Sequence, residues 1–524
     1  MWVQGWRDSI WSQLGEEYDL IVIGGGISGA GILREAVRAG LKAIMFEQGD
    51  FGSGTSSRSS KLVHGGLRYL KNVQVKLTWE SVHEREHLLR EGRGLITPMP
   101  FVMANFRCDR TPGWVFGIGL TMYDFMALKW NHASYDPKGL RDLVPQLSSP
   151  DLISGFRYFD AQTDDARLVM RVIQEATNDG GLALNYARVE GLLKAKNRVV
   201  GVVVRDLAAS PGKTIEVRAR TVISATGAWA DEMRGQVGGR ARLRILRGSH
   251  IFFSQSKLPL TRAITFIHPA DGRPVYILPW EGVTLVGTTD VDHEANPSTD
   301  MRISQAESEY LMEAVTHAFP ALALNTADVQ SSLAGVRAVV DTGKANPSKE
   351  SREFVLWNEA GLLTVSGGKL TTFRLMAQKA LRAVRSALPE HPRLGRDERV
   401  LDSLPPETTI CDVPPDLRLR LMGRYGAEAC NLVEAAQEGE MQAIGSSPSL
   451  WAELRWAARS EGVVHLDDLL ARRVRLNLNL PNGGMKELEK IRKIVQPELG
   501  WSDEQWEKEE KAYREIWSAY YSPD

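Results

Sequence analysis

A chain of 524 residues is too long for one hydrophobic core, so two or three domains are expected, and 43% apolar with 25% charged residues is an ordinary globular composition that excludes fibrous and disordered classes. A formal net charge of −1 sets up no field that would gather nucleic acid, and nucleic-acid binding is not expected. Cys108, Cys411 and Cys430 are far apart and odd in number, without a CxxC, which points away from a disulfide framework or a metal site and towards a reducing cytoplasm.

In residues 1–17, Trp2, Trp6, Ile10 and Leu14 recur every four positions with Val3 and Trp11 alongside, the face of a short amphipathic helix. Such a face packs on its own domain or lies on a membrane surface, and both readings stand at this point. The sequence has no run of about 20 apolar residues and no signal-peptide plan.

From Tyr18 the segments YDLIVIG, a glycine cluster, ILREAVRAG and LKAIMFE read as strand, turn, helix and strand. Gly24-x-Gly26-x-x-Gly29 sits at that turn. Gly24 permits the tight turn, Gly26 lets a pyrophosphate approach the backbone, and Gly29 lets the helix pack closely. The helix start offers N–H groups and the positive end of its dipole to phosphates. Glu47 closes the second strand, eighteen residues beyond Gly29, where a carboxylate accepts hydrogen bonds from ribose hydroxyls. One dinucleotide is therefore expected, and the single fingerprint disfavours a reductase with two nucleotide sites.

The segment GDFGSGTSSRSSKLVHGGLRYL at 49–70 follows. Its Thr55, Ser56, Ser60, Gly65 and Gly66 suit wrapping of a cofactor, and Lys61, His64, Arg68 and Tyr69 add groups that bind anions or move protons. Helices are predicted at 74–94 and 164–180, and strands at 198–205, 214–218 and 220–225, the last reaching Ala225, Thr226 and Gly227, where backbone can approach the cofactor. The apolar run at 114–130 is short, glycine-bearing and interrupted by Asp124; it reads as a buried helix or as a segment that docks on a bilayer.

Between about 240 and 360, short apolar runs alternate with turn residues, the pattern of an antiparallel sheet in a second domain. Residues 355–384 read as a strand hairpin, a turn at Gly367 and Gly368, and a helix whose N-terminus approaches the cofactor. Beyond the proline-containing stretch 389–415, helices are predicted at 416–438, 449–460 and 486–518. The expected organisation is an α/β chain: a tail at 1–17, a discontinuous dinucleotide-binding domain at 18–105, 151–240 and 355–388, and a substrate domain of antiparallel β-sheet at 106–150 and 241–354. A linker at 389–415 then leads to a separate C-terminal helical cap at 416–524.

KLVHGGLRYLK at 61–71, RGSHIFF at 247–253, LVGTTD at 285–290, GVRA at 335–338 and SGGKLTTF at 366–373 resemble FAD-dependent glycerol-3-phosphate dehydrogenases, in order over about residues 18–385 and more loosely in the helical tail. The resemblance implies a FAD-binding Rossmann-like fold of the glutathione-reductase and D-amino-acid-oxidase type. It also implies FAD as cofactor, sn-glycerol 3-phosphate as substrate, dihydroxyacetone phosphate as product and a membrane quinone as the usual electron acceptor, oxygen replacing it in some relatives. A cytoplasmic enzyme, peripheral on the inner face of the membrane, is the matching location.

By the same resemblance Arg337 and Lys369 hold the phosphate or the substrate hydroxyls, Arg68 and Tyr69 lie nearby, and Gly227, Gly368, Leu370 and Thr371 flank the flavin. The chemistry agrees: a phosphate monoester carries nearly two negative charges, and forked arginine donors suit it. Pairing of Arg337 with Asp341, and capping of a turn by Lys369, are the structural alternatives. Oxidation of a secondary alcohol needs a base, for which His250 and His64 are the candidates; His250 is preferred because it begins a strand of the substrate domain. One rival is an oxidase of the same fold acting on an amino or hydroxy acid, which needs a single arginine clamp. A second is a non-catalytic flavoprotein whose flavin no small substrate bleaches.

Overall fold

The computed structural model describes residues 2–66, 75–109, 112–127, 129–209, 211–294, 296, 301–345, 350–392, 395, 398–410 and 412–523. The leading segment forms α1 (Trp6–Gln13), and its apolar stripe is core: Trp2, Ile10 and Leu14 are buried, and the Trp2 indole N–H donates to the carbonyl of Ala183 at 3.2 Å. The membrane-surface reading of this stripe is therefore corrected, because the chain itself covers the face.

β1 (Glu17–Ile23), α2 (Ile27–Arg38) and β2 (Ala43–Phe46) form the strand, helix and strand unit around the glycine fingerprint. Their runs are apolar on both faces, as strands in the middle of a parallel sheet must be. The chain then contributes β3 (Leu62–Val63), α3 (Val75–Glu91), β4 (Ile96–Phe106), α4 (Gly113–Ala127), β5 (Ala133–Tyr135), β6 (Leu152–Thr163) and α5 (Asp165–Asn178). β7 (Leu182–Leu184), β8 (Ala187–Ala195), β9 (Arg198–Asp206) and β10 (Thr214–Ser224) follow, the last a single strand where two short ones are predicted.

The second half opens with β11 (Leu243–Ser254), β12 (Ala263–Ile267), β13 (Pro274–Trp280), β14 (Val283–Gly287), β15 (Val291–Asp292), α6 (Gln305–Ala318) and β16 (Val329–Val340). β17 (Val355–Glu359), β18 (Leu362–Ser366) and α7 (Phe373–Val384) complete the predicted hairpin, turn and helix.

Two sheets result. The first runs β17-β18-β10-β1-β2-β7, parallel at its centre, with β8 and β9 as an antiparallel arm on β10. Helices α2, α5 and α7 pack on one face through residues such as Leu33, Leu168 and Phe373. The second runs β15-β11-β14-β13-β12-β4-β6-β3, with β16 on β11 and β5 on β6. This moves two expected boundaries: residues 96–105 and 152–163, assigned by the sequence to the dinucleotide-binding domain, belong to the second sheet. β4 and β6 pair antiparallel from Ile96↔Thr163 to Phe106↔Leu152, and β4 docks parallel on β12, so long-range pairing decides their sheet.

The C-terminal region holds α8 (Pro415–Tyr425), α9 (Trp451–Ser460), α10 (Leu488–Leu499) and α11 (Asp503–Tyr520). The single helix predicted at 486–518 breaks at Gly500, which takes φ 64°, and Ser502 Oγ caps α11 by accepting from Gln505 N at 3.1 Å. The region is not a detached cap. Arg167 of α5 forks onto Glu461, both fully buried, with Nη2–Oε2 3.0 Å.

Candidate active site

The fingerprint geometry explains its glycines. A Cβ on Gly24, which takes φ 107°, would lie 2.6 Å from the Ala225 carbonyl oxygen, and one on Gly29 would lie 1.9 Å from that of Gly24. Neither position tolerates a side chain. Ala225 to Gly227 thus back the turn, with Gly227 at φ 57° opening a short 3-10 turn. Glu47 accepts from the N–H of Gly25 at 2.6 Å and of Gly49 at 2.8 Å, and burial raises its pKa. Ser56 Oγ accepts from Ile27 N at 2.9 Å at the first residue of α2.

A cavity of about 530 Å³ opens beyond this turn. Thr55, Ser60, His64 and Gly66 reach it from the serine-rich loop, and Gly368, Lys369, Leu370 and Thr371 from the turn before α7. The two segments are stitched together by Thr371 Oγ1, which donates to the His64 carbonyl at 3.2 Å. Gly367 and Gly368 take φ 76° and 87°, and a Cβ on Gly367 would meet the Glu353 carbonyl oxygen at 2.8 Å. A planar ring system needs such a side-chain-free backbone wall, and these residues fit FAD.

His250 enters from β11, where its partner across the ladder is Gly287; a Cβ there would lie 2.1 Å from the imidazole Cδ2, so the glycine makes room for the ring. His250 Nε2 stands 2.9 Å from Ser60 Oγ. Burial, then the Lys61 and Arg337 cations, push its pKa down to about 3, so the imidazole is neutral at physiological pH.

Arg337 comes from β16, paired with β11. Its Nη2 donates to Asp290 Oδ1 at 2.7 Å and to the Thr289 carbonyl at 3.2 Å; the partner is Asp290 rather than Asp341. Arg352 Nη2 meets the other oxygen of Asp290 at 3.3 Å and lines the same cavity. Neither Asp290 nor Arg352 stands out in the sequence as a site residue. Asp290 lies inside the LVGTTD motif, which is its only signal, and Arg352 lies in no motif. Lys369 Nζ donates to Ser81 Oγ at 2.9 Å, and burial, then the Arg352 charge, lower its pKa to about 7.

Lys61 departs from its expected role on the cofactor. Its ammonium is fully buried, donating to the Ser57 carbonyl at 2.7 Å and to both Asp165 oxygens at 2.8 Å, so its side chain braces the loop from behind. Arg68 and Tyr69 lie outside the described residues. The cavity wall also has an apolar part, with Phe101, Met103 and Tyr276 from the second sheet and Phe116, Ile118 and Met122 from α4, beside polar and charged residues that include Arg58, Asn105, Asp160 and Arg273.

The model of FAD dependent oxidoreductases matches residues 19–374, and that of the C-terminal domain of alpha-glycerophosphate oxidase matches residues 364–506. An aerobic glycerol-3-phosphate dehydrogenase of Staphylococcus haemolyticus is 33% identical over 488 residues, 87% of this chain and 86% of that one. A glycerol-3-phosphate dehydrogenase of Mycobacterium leprae is 31% identical over 97% of this chain and 89% of its own. The crystal structure of the glycerol-3-phosphate dehydrogenase from Bacillus halodurans, complexed with FAD, superimposes with a TM-score of 0.80 at 26% identity, covering 100% of this chain and 99% of that one. With its glycine cradle, its neutral histidine and its paired arginines in one cavity, the chain belongs to the FAD-dependent oxidoreductases, within the family of the aerobic glycerol-3-phosphate dehydrogenases.

Proposed function

We propose that this enzyme oxidises sn-glycerol 3-phosphate to dihydroxyacetone phosphate at the cavity between the second sheet, the serine-rich loop and the turn before α7, and hands the electrons to a quinone at a membrane surface. The observation that carries the substrate is that Arg337, Arg352 and Lys369 line one cavity with a neutral His250. Two guanidinium groups and an ammonium match a phosphate dianion, whereas a carboxylate substrate needs one clamp.

Bound FAD supplies the two-electron oxidising capacity, taking hydride from C2 of the substrate. Arg337 and Arg352, held in register by one carboxylate, bind the phosphate together with the Lys369 ammonium beside the Gly368 turn. His250 takes the hydroxyl proton at Nε2, the atom that faces Ser60 Oγ. Its low pKa rises when the substrate's negative charge offsets Arg337, which makes the ring a better base in the complex than in the free enzyme.

The acceptor side is supported by α4. Trp114, Ile118 and Phe125 are 67%, 55% and 75% exposed, and Trp130 just beyond is 70% exposed. No helix among the described residues is long and apolar enough to cross a membrane. An exposed apolar helix flanked by tryptophans suits the bilayer interface, and Phe116, Ile118 and Met122 of the same helix line the cavity, offering an apolar acceptor a short route from the lipid.

Anaerobic addition of glycerol 3-phosphate to the purified holoenzyme tests the reaction: the oxidised-flavin absorbance bleaches, and its persistence removes the substrate assignment. Reoxidation of the bleached enzyme by a soluble quinone faster than by oxygen is the outcome expected for the acceptor, and the reverse order overturns it.

A further inference from the structure

The serine-rich loop after Glu47 is held from outside the sheets. Asp50 is fully buried, and Arg473 forks onto it with Nη1–Oδ2 2.7 Å and Nη2–Oδ1 2.8 Å, while Arg472 Nε donates to the same carboxylate. The Ser57 carbonyl accepts from Arg475 Nη2 at 2.9 Å. Arg58 Nη2 donates to the Tyr521 hydroxyl at 3.1 Å, its guanidinium lying 5.4 Å from the centre of that ring. All four partners belong to the C-terminal region, and none lines the cavity.

The gripped loop joins the glycine fingerprint to the strand that carries Arg337. Gly52 N donates to the Gly25 carbonyl at 2.9 Å, inside the fingerprint, and Ser56 Oγ meets the start of α2. On the far side Thr55 Oγ1 donates to the Val336 carbonyl, and Arg58 Nη1 to that of Ala334 at 3.0 Å, on the strand that carries Arg337. Phe51 anchors one end of the segment in the core, but from Gly52 to Ser57 it is glycine, serine and threonine, which bury little apolar surface of their own, so that stretch in isolation is loose. Burying several charges to fix it is a poor route to bulk stability, and what such a network secures here is one geometry.

We infer that Arg473, Arg475 and Tyr521 are positioning residues for FAD: the C-terminal region shapes loop 50–58 ahead of cofactor binding and so sets how tightly FAD is held. The inference concerns the cofactor alone and does not depend on which alcohol is oxidised.

Full-length Tyr521→Phe, which removes one hydroxyl and keeps the ring, and Arg473→Lys, which keeps the charge and removes the fork, test it against Tyr513→Phe. Tyr513 donates to the Gly483 carbonyl at 2.6 Å, wholly within the C-terminal region, so its variant loses a comparable buried hydrogen bond away from the loop. The readouts are the FAD dissociation constant from flavin fluorescence on reconstituted apoprotein, the melting temperature of the apo form, and KM. Tyr521→Phe and Arg473→Lys each raise the FAD constant by about fivefold or more, the loss expected of one hydrogen bond, and move KM less than twofold once FAD is saturating. Tyr513→Phe lowers the melting temperature without moving the FAD constant. The inference is overturned if Tyr521→Phe binds FAD within twofold of the parent, or if Tyr513→Phe weakens FAD equally; should Arg473→Lys not fold, Tyr521→Phe decides alone.

Discussion

Asp290 is the residue on which the proposed anion site turns, because one carboxylate pairs with both Arg337 and Arg352. Asp290→Asn keeps the shape and removes the charge, so the two guanidinium groups repel and lose their register; a KM for glycerol 3-phosphate raised about tenfold, the worth of a charge-assisted bond or more, with FAD retained, is the expected result of steady-state kinetics. Lys369 gives a pH signature. Its pKa is lowered to about 7, so the free enzyme carries this cation below that pH and loses it as pH rises. The kcat/KM for the phosphate dianion therefore falls above pH 7, by at most about tenfold per unit, and Lys369→Arg, charged throughout, removes that limb. An identical profile in the variant takes Lys369 out of phosphate binding. His250, Arg337 and Lys369 are legible in the sequence because each sits in a motif. Arg352 lies in no motif, and although Asp290 lies in one, its role does not show there, since an ion pair between positions 62 apart exists only in space. Lys61 misleads for the converse reason: a lysine in a serine-rich loop reads as an anion binder until the fold sinks it into Asp165.

At the scale of elements, α4 shows how an interrupting charge can mislead. Asp124 breaks the apolar run in sequence, yet it is buried on the inner face: its Oδ2 accepts from Asn131 N at 2.8 Å and His132 N at 3.0 Å, fixing the turn after the helix. Leu120 and Tyr123 share that inner face, which leaves Trp114, Ile118 and Phe125 outside. The helix is thus buried on one side and exposes an apolar face on the other, the face proposed to meet the bilayer. Trp114→Ser with Phe125→Ser keeps the inner face and the cavity lining intact. Removing two large apolar side chains from a bilayer contact reduces binding to anionic lipid vesicles in flotation assays by about tenfold or more, while substrate still bleaches the flavin at the parent rate. Unchanged flotation refutes the docking face. The second sheet is less legible than this helix: residues 96–105 and 152–163 read as part of the dinucleotide-binding domain, and nothing local says that they form strands that pair with each other and join β12.

Over the whole molecule, buried charges tie the C-terminal region to the α/β core. Arg167 pairs with Glu461, Arg424 with Asp164 at 2.8 Å and Arg473 with Asp50, all with side chains 2% exposed or less. Each pair spans more than 250 positions, so no local window of sequence reveals it, and the helical tail reads as a separate cap when it is a wall of the same body. Glu461→Gln tests the consequence. It leaves the Arg167 guanidinium buried without its counter-charge, a loss of about 3–5 kcal/mol. For a chain of 524 residues the unfolding entropy is large, so this corresponds to a fall in melting temperature of only about 4 °C. The form of the transition says more than its midpoint. Because the pair lies between the two regions rather than inside one, flavin release and loss of far-ultraviolet helix signal move down together in the variant and remain one transition. Early melting of the C-terminal helices with FAD still bound, followed by a second step at the parent temperature, means that the region folds on its own and that the buried charges do not couple it to the cofactor.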